Sequence, residues 1–253
     1  MMRSTGRSAA TLGAAVAVAF LAAACGLRLG GWTATPSAPT VSPNVAATPA
    51  SIPLRDGPIG PGTYETMPFR GGGVLCMAPP QPGCSESTAD DTLSFTFTVP
   101  EGWAGIGGSI RLAAGENTPP GGATLIFERG GWLYSDPCHG QPPPDVEVGP
   151  TVDDFATALS DHPALDTTPA TDVALAGYSG KYMELYIPSD IAGCTYFPWE
   201  PGLSATGPNQ RWYLWILDVD GVRVVVQTTD CEGTSADVKA ALTSIVGSIH
   251  IKH

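Results

Sequence analysis

RWYLWILDVDGVRVVVQTT, the stretch from Arg211 to Thr229, consists of two apolar runs joined by Asp220-Gly221. Asp-Gly accepts positive φ at both central positions of a type I′ turn, whose twist matches that of two flanking antiparallel strands. Val, Ile, Trp and Tyr dominate both runs, and such residues suit a pleated, packed surface. Arg211 to Val219 and Val222 to Thr229 are therefore expected to be antiparallel neighbours.

Working outward, more strands precede this hairpin. DVALAG (Asp172 to Gly177) and KYMELYIP (Lys181 to Pro188) lie just before it. In LSFTFTVPEGW, Leu93, Phe95, Phe97 and Val99 alternate with Ser94, Thr96 and Thr98, which predicts a half-buried strand closed by Pro100 and Gly102. ATLIFE (Ala123 to Glu128) and GWLYS (Gly131 to Ser135) flank Gly130 and are expected to form a hairpin with each other. Two helices are predicted between and after the strands. Thr151 with Asp154 is an acidic variant of the capping box, Val152, Phe155 and Leu159 share one helical face, and Pro163 stops the run. Thr234 with Asp237 is expected to cap the second, whose buried stripe is Val238, Leu242, Ile245 and Ile249. Strands and helices linked by hairpins rather than crossovers imply an α+β domain: a largely antiparallel sheet with two main helices packed on it.

The N-terminus is of a different kind. Arg3 and Arg7 precede an uncharged run, Ser8 to Ala24, rich in Ala, Val, Leu and Phe and ending FLAAACG. A basic n-region followed by an apolar h-region and small residues is a secretory pattern. The run is short and alanine-rich for a stable span, which wants about 20 strongly apolar residues. Ala22, Ala23, Ala24 and Cys25 followed by glycine resemble the lipobox of bacterial lipoproteins, although the usual leucine sits one place early, at Leu21. That resemblance implies that residues 1–24 are removed as a signal peptide and that Cys25 is acylated (palmitate or similar chains). Two chains at about 0.8 kcal/mol per buried CH₂ give stable anchoring. Without lipidation the protein would be secreted. Residues 25–60, rich in Pro, Ala and Thr, read as a tether with a coil span on the order of 30 Å. Residues 61–253 form one extracytoplasmic α+β domain.

Charge narrows the partners. The chain has 24 acidic and 12 basic residues, a formal net charge of -12. Phosphate backbones need clustered Lys and Arg, so nucleic acid is excluded as an expected partner, and anionic lipid is disfavoured for the same reason. The membrane is reached through the acyl group, at the outer face of the cytoplasmic membrane.

FTVPEGW, an amphipathic helix, GYSGKYMELYIP, the aromatic hairpin and a last helix ending IVGSIHI succeed one another from Leu93 to Ile251. This layout resembles the Mog1/PsbP-like fold, in particular the LpqN-type lipoproteins of mycobacteria and other uncharacterised actinobacterial lipoproteins. The resemblance implies a sandwich of that type and a binding or assembly role rather than catalysis.

No catalytic motif stands out. GYSGK approaches the Gly-x-Ser-x-Gly nucleophile elbow, but Lys181 holds the last place and a strand follows, so Ser179 reads as part of a turn before a strand. Asp218-Val219-Asp220-Gly221 begins like a calcium loop, yet no terminal Glu follows, and the hairpin explains it. His139, His162, His250 and His253 show no ligand spacing apart from the last two, at the chain end, so no metal and no cofactor are expected. TYFPWEPG is the clearest binding candidate. Tyr196, Phe197 and Trp199 lie in a loop after Cys194, with Trp212 on the next strand, and aromatic faces supply contact area at small entropic cost. Covering one end of the core is the alternative role. Apart from Cys25 the cysteines are Cys76, Cys84, Cys138, Cys194 and Cys231, an odd number without Cys-x-x-Cys spacing. Several pairings are open. The favoured one joins Cys76 to Cys84 and Cys138 to Cys194, leaves Cys231 free, and brings Asp136 and His139 beside the aromatic loop. The expected protein is a non-enzymatic, membrane-anchored binding or interaction module for an envelope protein or a small apolar or sugar-bearing ligand; a cell-envelope hydrolase and a structural assembly factor are the alternatives.

The anchor is directly testable. Cys25→Ser should abolish acylation and either release the protein to the medium or leave uncleaved precursor, read by membrane fractionation and intact mass; unchanged retention at the wild-type mature mass would contradict it.

Overall fold

The structure is a computed structural model describing residues 50–68, 93–113, 121–139, 144–200 and 204–253. Residues 1–24 and most of the 25–60 segment, with Cys25, and the Cys76 and Cys84 pair lie outside the described residues. In chain order the elements are β1 (Ile52–Pro53), β2 (Gly57–Ile59), β3 (Gly62–Thr66), β4 (Ser94–Val99), β5 (Trp103–Ile106), β6 (Ser109–Leu112), β7 (Ala123–Glu128), β8 (Trp132–Leu133), α1 (Val152–Asp161), β9 (Asp166–Thr167), β10 (Thr171–Leu175), β11 (Tyr178–Tyr186), β12 (Trp199–Glu200), β13 (Arg211–Val219), β14 (Val222–Asp230), α2 (Ala236–Gly247) and β15 (His250–Lys252). This is an α+β fold of largely antiparallel sheets with two helices.

The Asp220-Gly221 hairpin forms as its sequence requires. Asp220 takes φ +51 and Gly221 +86, the pair of left-handed conformations of a type I′ turn. Asp218 Oδ1 accepts from Gly221 N at 2.7 Å, so this carboxylate closes the turn. Strands β13 and β14 pair from Val219↔Val222 back to Arg211↔Asp230 and sit inside a nine-stranded sheet, eight of whose strands run in the order β10-β11-β13-β14-β7-β6-β5-β2 while β9 pairs with β11 off that path. A second sheet, β1-β3-β4-β15, packs over part of one face.

Alternation in β13 and β14 supplies two cores. Leu214, Ile216 and Val225 face α1, where they meet Phe155 and Leu159. Leu217, Val219, Val224 and Val226 face the other way, toward Leu242 and Ile245 of α2 and Phe95 and Phe97 of β4. Phe95 stacks on Phe127 of β7 at 4.3 Å between centroids. The predicted capping box of α1 is present: Thr151 Oγ1 accepts from Asp154 N at 3.1 Å and Asp154 Oδ2 accepts from Thr151 N at 2.9 Å.

Four expectations change. Strands β1 and β2 lie within the stretch assigned to the tether, and Leu54 N donates to Glu65 O at 2.8 Å, so the folded domain begins before residue 61. ATLIFE and GWLYS do not pair with each other. Strand β7 lies between β14 and β6 and is buried along its whole length, while β8 pairs with β12. The cap of α2 is Ser235, whose side chain accepts from Val238 N at 3.3 Å. Thr234 is buried instead, donating to Gly122 O at 2.7 Å and accepting from Cys231 N at 3.0 Å. Last, Val246 joins Leu242 and Ile245 in the buried stripe of α2 and Val238 is only half-buried, while Ile249 is buried as expected but lies just beyond the helix end.

Close approach of β11 to β13 depends on Gly180, opposite Leu217 in the register. A Cβ there would lie 2.0 Å from the Ile216 carbonyl oxygen, a backbone atom that cannot move aside. Gly180→Ala should cost about 2 kcal/mol or more by overpacking, seen in urea titration as a lower midpoint with an unchanged slope.

Candidate functional site

The aromatic loop proves to be part of the core. Tyr196, Trp199 and Trp212 are 3%, 1% and 1% exposed, so they offer no face to a ligand. The cause is a zipper of backbone contacts: Trp199 pairs with Leu133, Phe197 N donates to Pro137 O at 2.6 Å, and Tyr134 N donates to Pro198 O at 3.0 Å. The loop is thereby laid over the α1-side core, where Trp199 meets Trp212 and Phe155 edge-on at 5.5 and 5.8 Å. Trp199 Nε1 donates to buried Glu128 at 3.2 Å, and Tyr196 OH donates to Ala164 O at 3.2 Å. Burial pushes the Tyr196 phenol up to about 12. Phe197 is half-buried against Tyr134.

Cys138 and Cys194 form a disulfide, with Cα atoms 5.0 Å apart, and Cys231 is a buried thiol. The bridge does bring the DPCHG turn beside the aromatic loop. Asp136 and His139 are exposed, and Asp136 Oδ1 accepts from Cys138 N and His139 N at 2.9 and 3.0 Å, which lowers its pKa and makes it a turn former. These two surface residues and the three buried rings do not converge on one cavity. Ser179 lies in β11 opposite Ala174, with no helix after it. Among the described residues no group of three His, Cys, Asp or Glu side chains is placed to hold a metal.

A concave site lies on the opposite face of the same hairpin. In β11, β13 and β14 the α2-side positions run Tyr182, Glu184, Tyr186, then Arg211, Tyr213, Trp215, then Thr228, Asp230, and register sets Tyr182 opposite Trp215, Glu184 opposite Tyr213 and Tyr186 opposite Arg211. Helix α2 covers only part of this face. A groove of about 240 Å³ remains, floored by Tyr182, Tyr213 and Trp215 and walled by Leu242, Val246 and Lys239 of α2. The Tyr182 and Trp215 rings are 5.2 Å apart and inclined at 54°.

Two carboxylates pin the rings. Glu184 accepts from Tyr182 OH at 2.8 Å, Tyr186 OH at 2.9 Å and Arg211 Nε at 2.7 Å, with a further contact from Arg211 Nη2. Burial works against the Glu184 charge, but these bonds outweigh it and hold the carboxyl below its usual range. Asp230 accepts from Tyr213 OH at 2.7 Å and pairs with Lys239 Nζ at 3.0 Å. Burial first, then the carboxylate each one faces, raises the Tyr182 and Tyr213 phenols, so both remain protonated donors at neutral pH. The Arg211 guanidinium lies over the Tyr186 and Tyr213 rings, 5.1 and 5.3 Å from their centroids. The result is an aromatic floor held by hydrogen bonds, with buried Asp230 lining the groove beside Lys239.

Sequence reading passed over this site although its signal was present. Tyr-x-Glu-x-Tyr in β11 and Arg-x-Tyr-x-Trp in β13 put one polar-aromatic set on a single face once period two is applied. The same parity sends Trp212 and Trp215 to opposite faces. Protein-family models give no match to this chain, and neither do curated proteins.

The disulfide ties the loop cover to the α1-side core and not to the groove. Cys138→Ala should lower the melting temperature, the cross-link being worth about 4 kcal/mol on the chain-entropy account for a separation of 56 residues. Scanning calorimetry of the wild type and the variant checks it.

Proposed function

We propose that this protein is a membrane-anchored extracytoplasmic lipoprotein, attached through Cys25 at the outer face of the cytoplasmic membrane, whose domain binds a small ligand in the groove over Tyr182, Tyr213 and Trp215. The groove itself is the observation that carries this reading: a concave, mainly apolar site with a few fixed polar groups is the usual form of a small-molecule site. At about 30 Å³ per water it holds roughly eight waters, so it suits a ligand of one ring rather than a large substrate. A disulfide between Cys138 and Cys194 accords with an exported protein. We further propose that the arrangement of helices on an antiparallel sheet is a Mog1/PsbP-like sandwich of the LpqN type, extended by the second sheet. The fold resemblance and the absence of a catalytic motif in the sequence both favour binding over hydrolysis. The tether lets the domain stand clear of the head groups and meet ligand or partner there.

Native mass spectrometry of the full-length protein, extracted from its own membranes, tests the reading. A small molecule should be retained by the wild type and lost in Trp215→Leu, with both proteins equally folded by circular dichroism. A protein partner retained equally by both variants, with no small molecule in either, would favour an assembly factor and reject the groove as the working site.

A further inference from the structure

Resting on the reading of the groove as the ligand site, we infer that its ligand class is a single-ring aromatic carboxylate, with the ring against Trp215 and Tyr182 and the carboxylate at Lys239. Three observations lead there. The first is size. A dry cavity of about 150 Å³ takes benzene, so about 240 Å³ takes one ring and a short substituent.

The second is the wall. Leu242 and Val246 stand along the side of the groove, both buried and apolar. A sugar ring laid on the same floor would press hydroxyl groups against these side chains and lose their hydrogen bonds to water, whereas an aromatic edge loses nothing there. The inclined Tyr182 and Trp215 rings also suit a third ring packed offset or edge-on.

The third is hydrogen-bond valence. The Tyr182 and Tyr213 hydroxyl protons go to Glu184 and Asp230, so neither phenol has a donor left for a ligand. Lys239 places one N–H on Asp230, and an ammonium has three. Its side chain is 46% exposed at the mouth of the groove, so a ligand carboxylate can take the remaining donors without breaking the Asp230 pair. A cationic ligand would have to compete for Asp230, the carboxylate that lines the groove, whose Oδ2 is already taken by Tyr213 OH at 2.7 Å and Lys239 Nζ at 3.0 Å. The net charge of -12 opposes any anion at long range, but charges beyond about 8 Å are screened at physiological salt, and the contact with Lys239 is inside that length.

The test uses full-length protein in lipid nanodiscs, titrated by calorimetry against empty discs with benzoate, benzyl alcohol, benzyltrimethylammonium and methyl glucoside. Benzoate should bind about tenfold or more tightly than benzyl alcohol, as a charge-assisted hydrogen bond predicts. Lys239→Met should reduce that preference to near one while benzyl alcohol still binds, Lys239→Arg should retain it, and Trp215→Leu should remove both. If the wild type prefers the glucoside or the ammonium probe, the aromatic-acid inference is overturned and the groove remains a binding site. Binding of none of the four, or binding untouched by Trp215→Leu, overturns the inference and the groove reading together. The wild-type comparison of benzoate with benzyl alcohol decides the charge preference even where a Lys239 variant does not fold.

Discussion

The turn at Asp220-Gly221 sets the register on which the rest of the domain depends. With both residues at positive φ the two strands leave the turn in fixed alignment, and nine pairs follow, from Val219↔Val222 to Arg211↔Asp230. A slip of one residue would exchange the faces of the slipped strand. Trp212, Leu214 and Ile216 would then leave the core beneath α1, and Tyr213 and Trp215 would leave the groove. Neighbouring strands extend the assignment, because Met183 and Leu185 follow Leu214 and Trp212 to one side, while Tyr182 and Glu184 follow Trp215 and Tyr213 to the other. A two-residue turn therefore determines both the core and the candidate site.

A second attachment holds α1 to this hairpin. Arg223 of β14 donates to the carbonyls of Gly130 at 2.7 Å and Thr151 at 2.9 Å, and also to that of Gly149, with its guanidinium 4.8 Å from the Phe155 ring centroid. Burying a charge is costly unless its donors are satisfied. Here backbone carbonyls and an aromatic face do so: Gly149 and Thr151 precede α1, Phe155 lies in it, and Gly130 lies between β7 and β8. Arg223 thus links the start of the helix to the strand whose other end carries Asp230. The α1 side is covered by this link, by the Trp199 loop and by the Cys138–Cys194 bridge, and the groove lies on the α2 side.

Local signals were legible and distant ones were not. The hairpin, the capping box at Thr151 and the alternation of β4 were each visible within a dozen residues, because turn chemistry and side-chain period are properties of short stretches. The partner of Ala123–Glu128 was not. Consecutive strands usually pair, but this strand is covered on both faces and lies in the middle of the sheet, between β6 and β14. The aromatic loop was misleading for a similar reason: Tyr196 and Trp199 among prolines have the same composition whether they face solvent or cover a core. Only the contacts with Leu133, Pro137 and Tyr134, more than 55 positions earlier, decide between the two, and no local pattern carries them. Cys138 and Cys194 marked those two segments as neighbours in the sequence reading, but a bridge says that segments meet and not which face they show.

The groove differs from the two cores in how its side chains are held. The phenylalanine rings of the cores are fixed by packing and Trp199 and Tyr196 by one hydrogen bond each, whereas Tyr182, Tyr186 and Tyr213 are fixed by hydrogen bonds to the charged groups Glu184 and Asp230. Apolar residues of similar size would hold the sheet together at least as well, since buried ionic groups add little to stability once desolvation is counted. What the polar network adds is order before binding. Immobilising a side chain on binding costs about 0.5–1.5 kcal/mol, and here Tyr182 and Tyr213 are already held by Glu184 and Asp230. Glu184 and Asp230 also neutralise Arg211 and Lys239 without enclosing them, their side chains being 42% and 46% exposed. A face built this way loses little by being left open to solvent, because its rings keep their positions through Glu184 and Asp230 rather than through a covering layer.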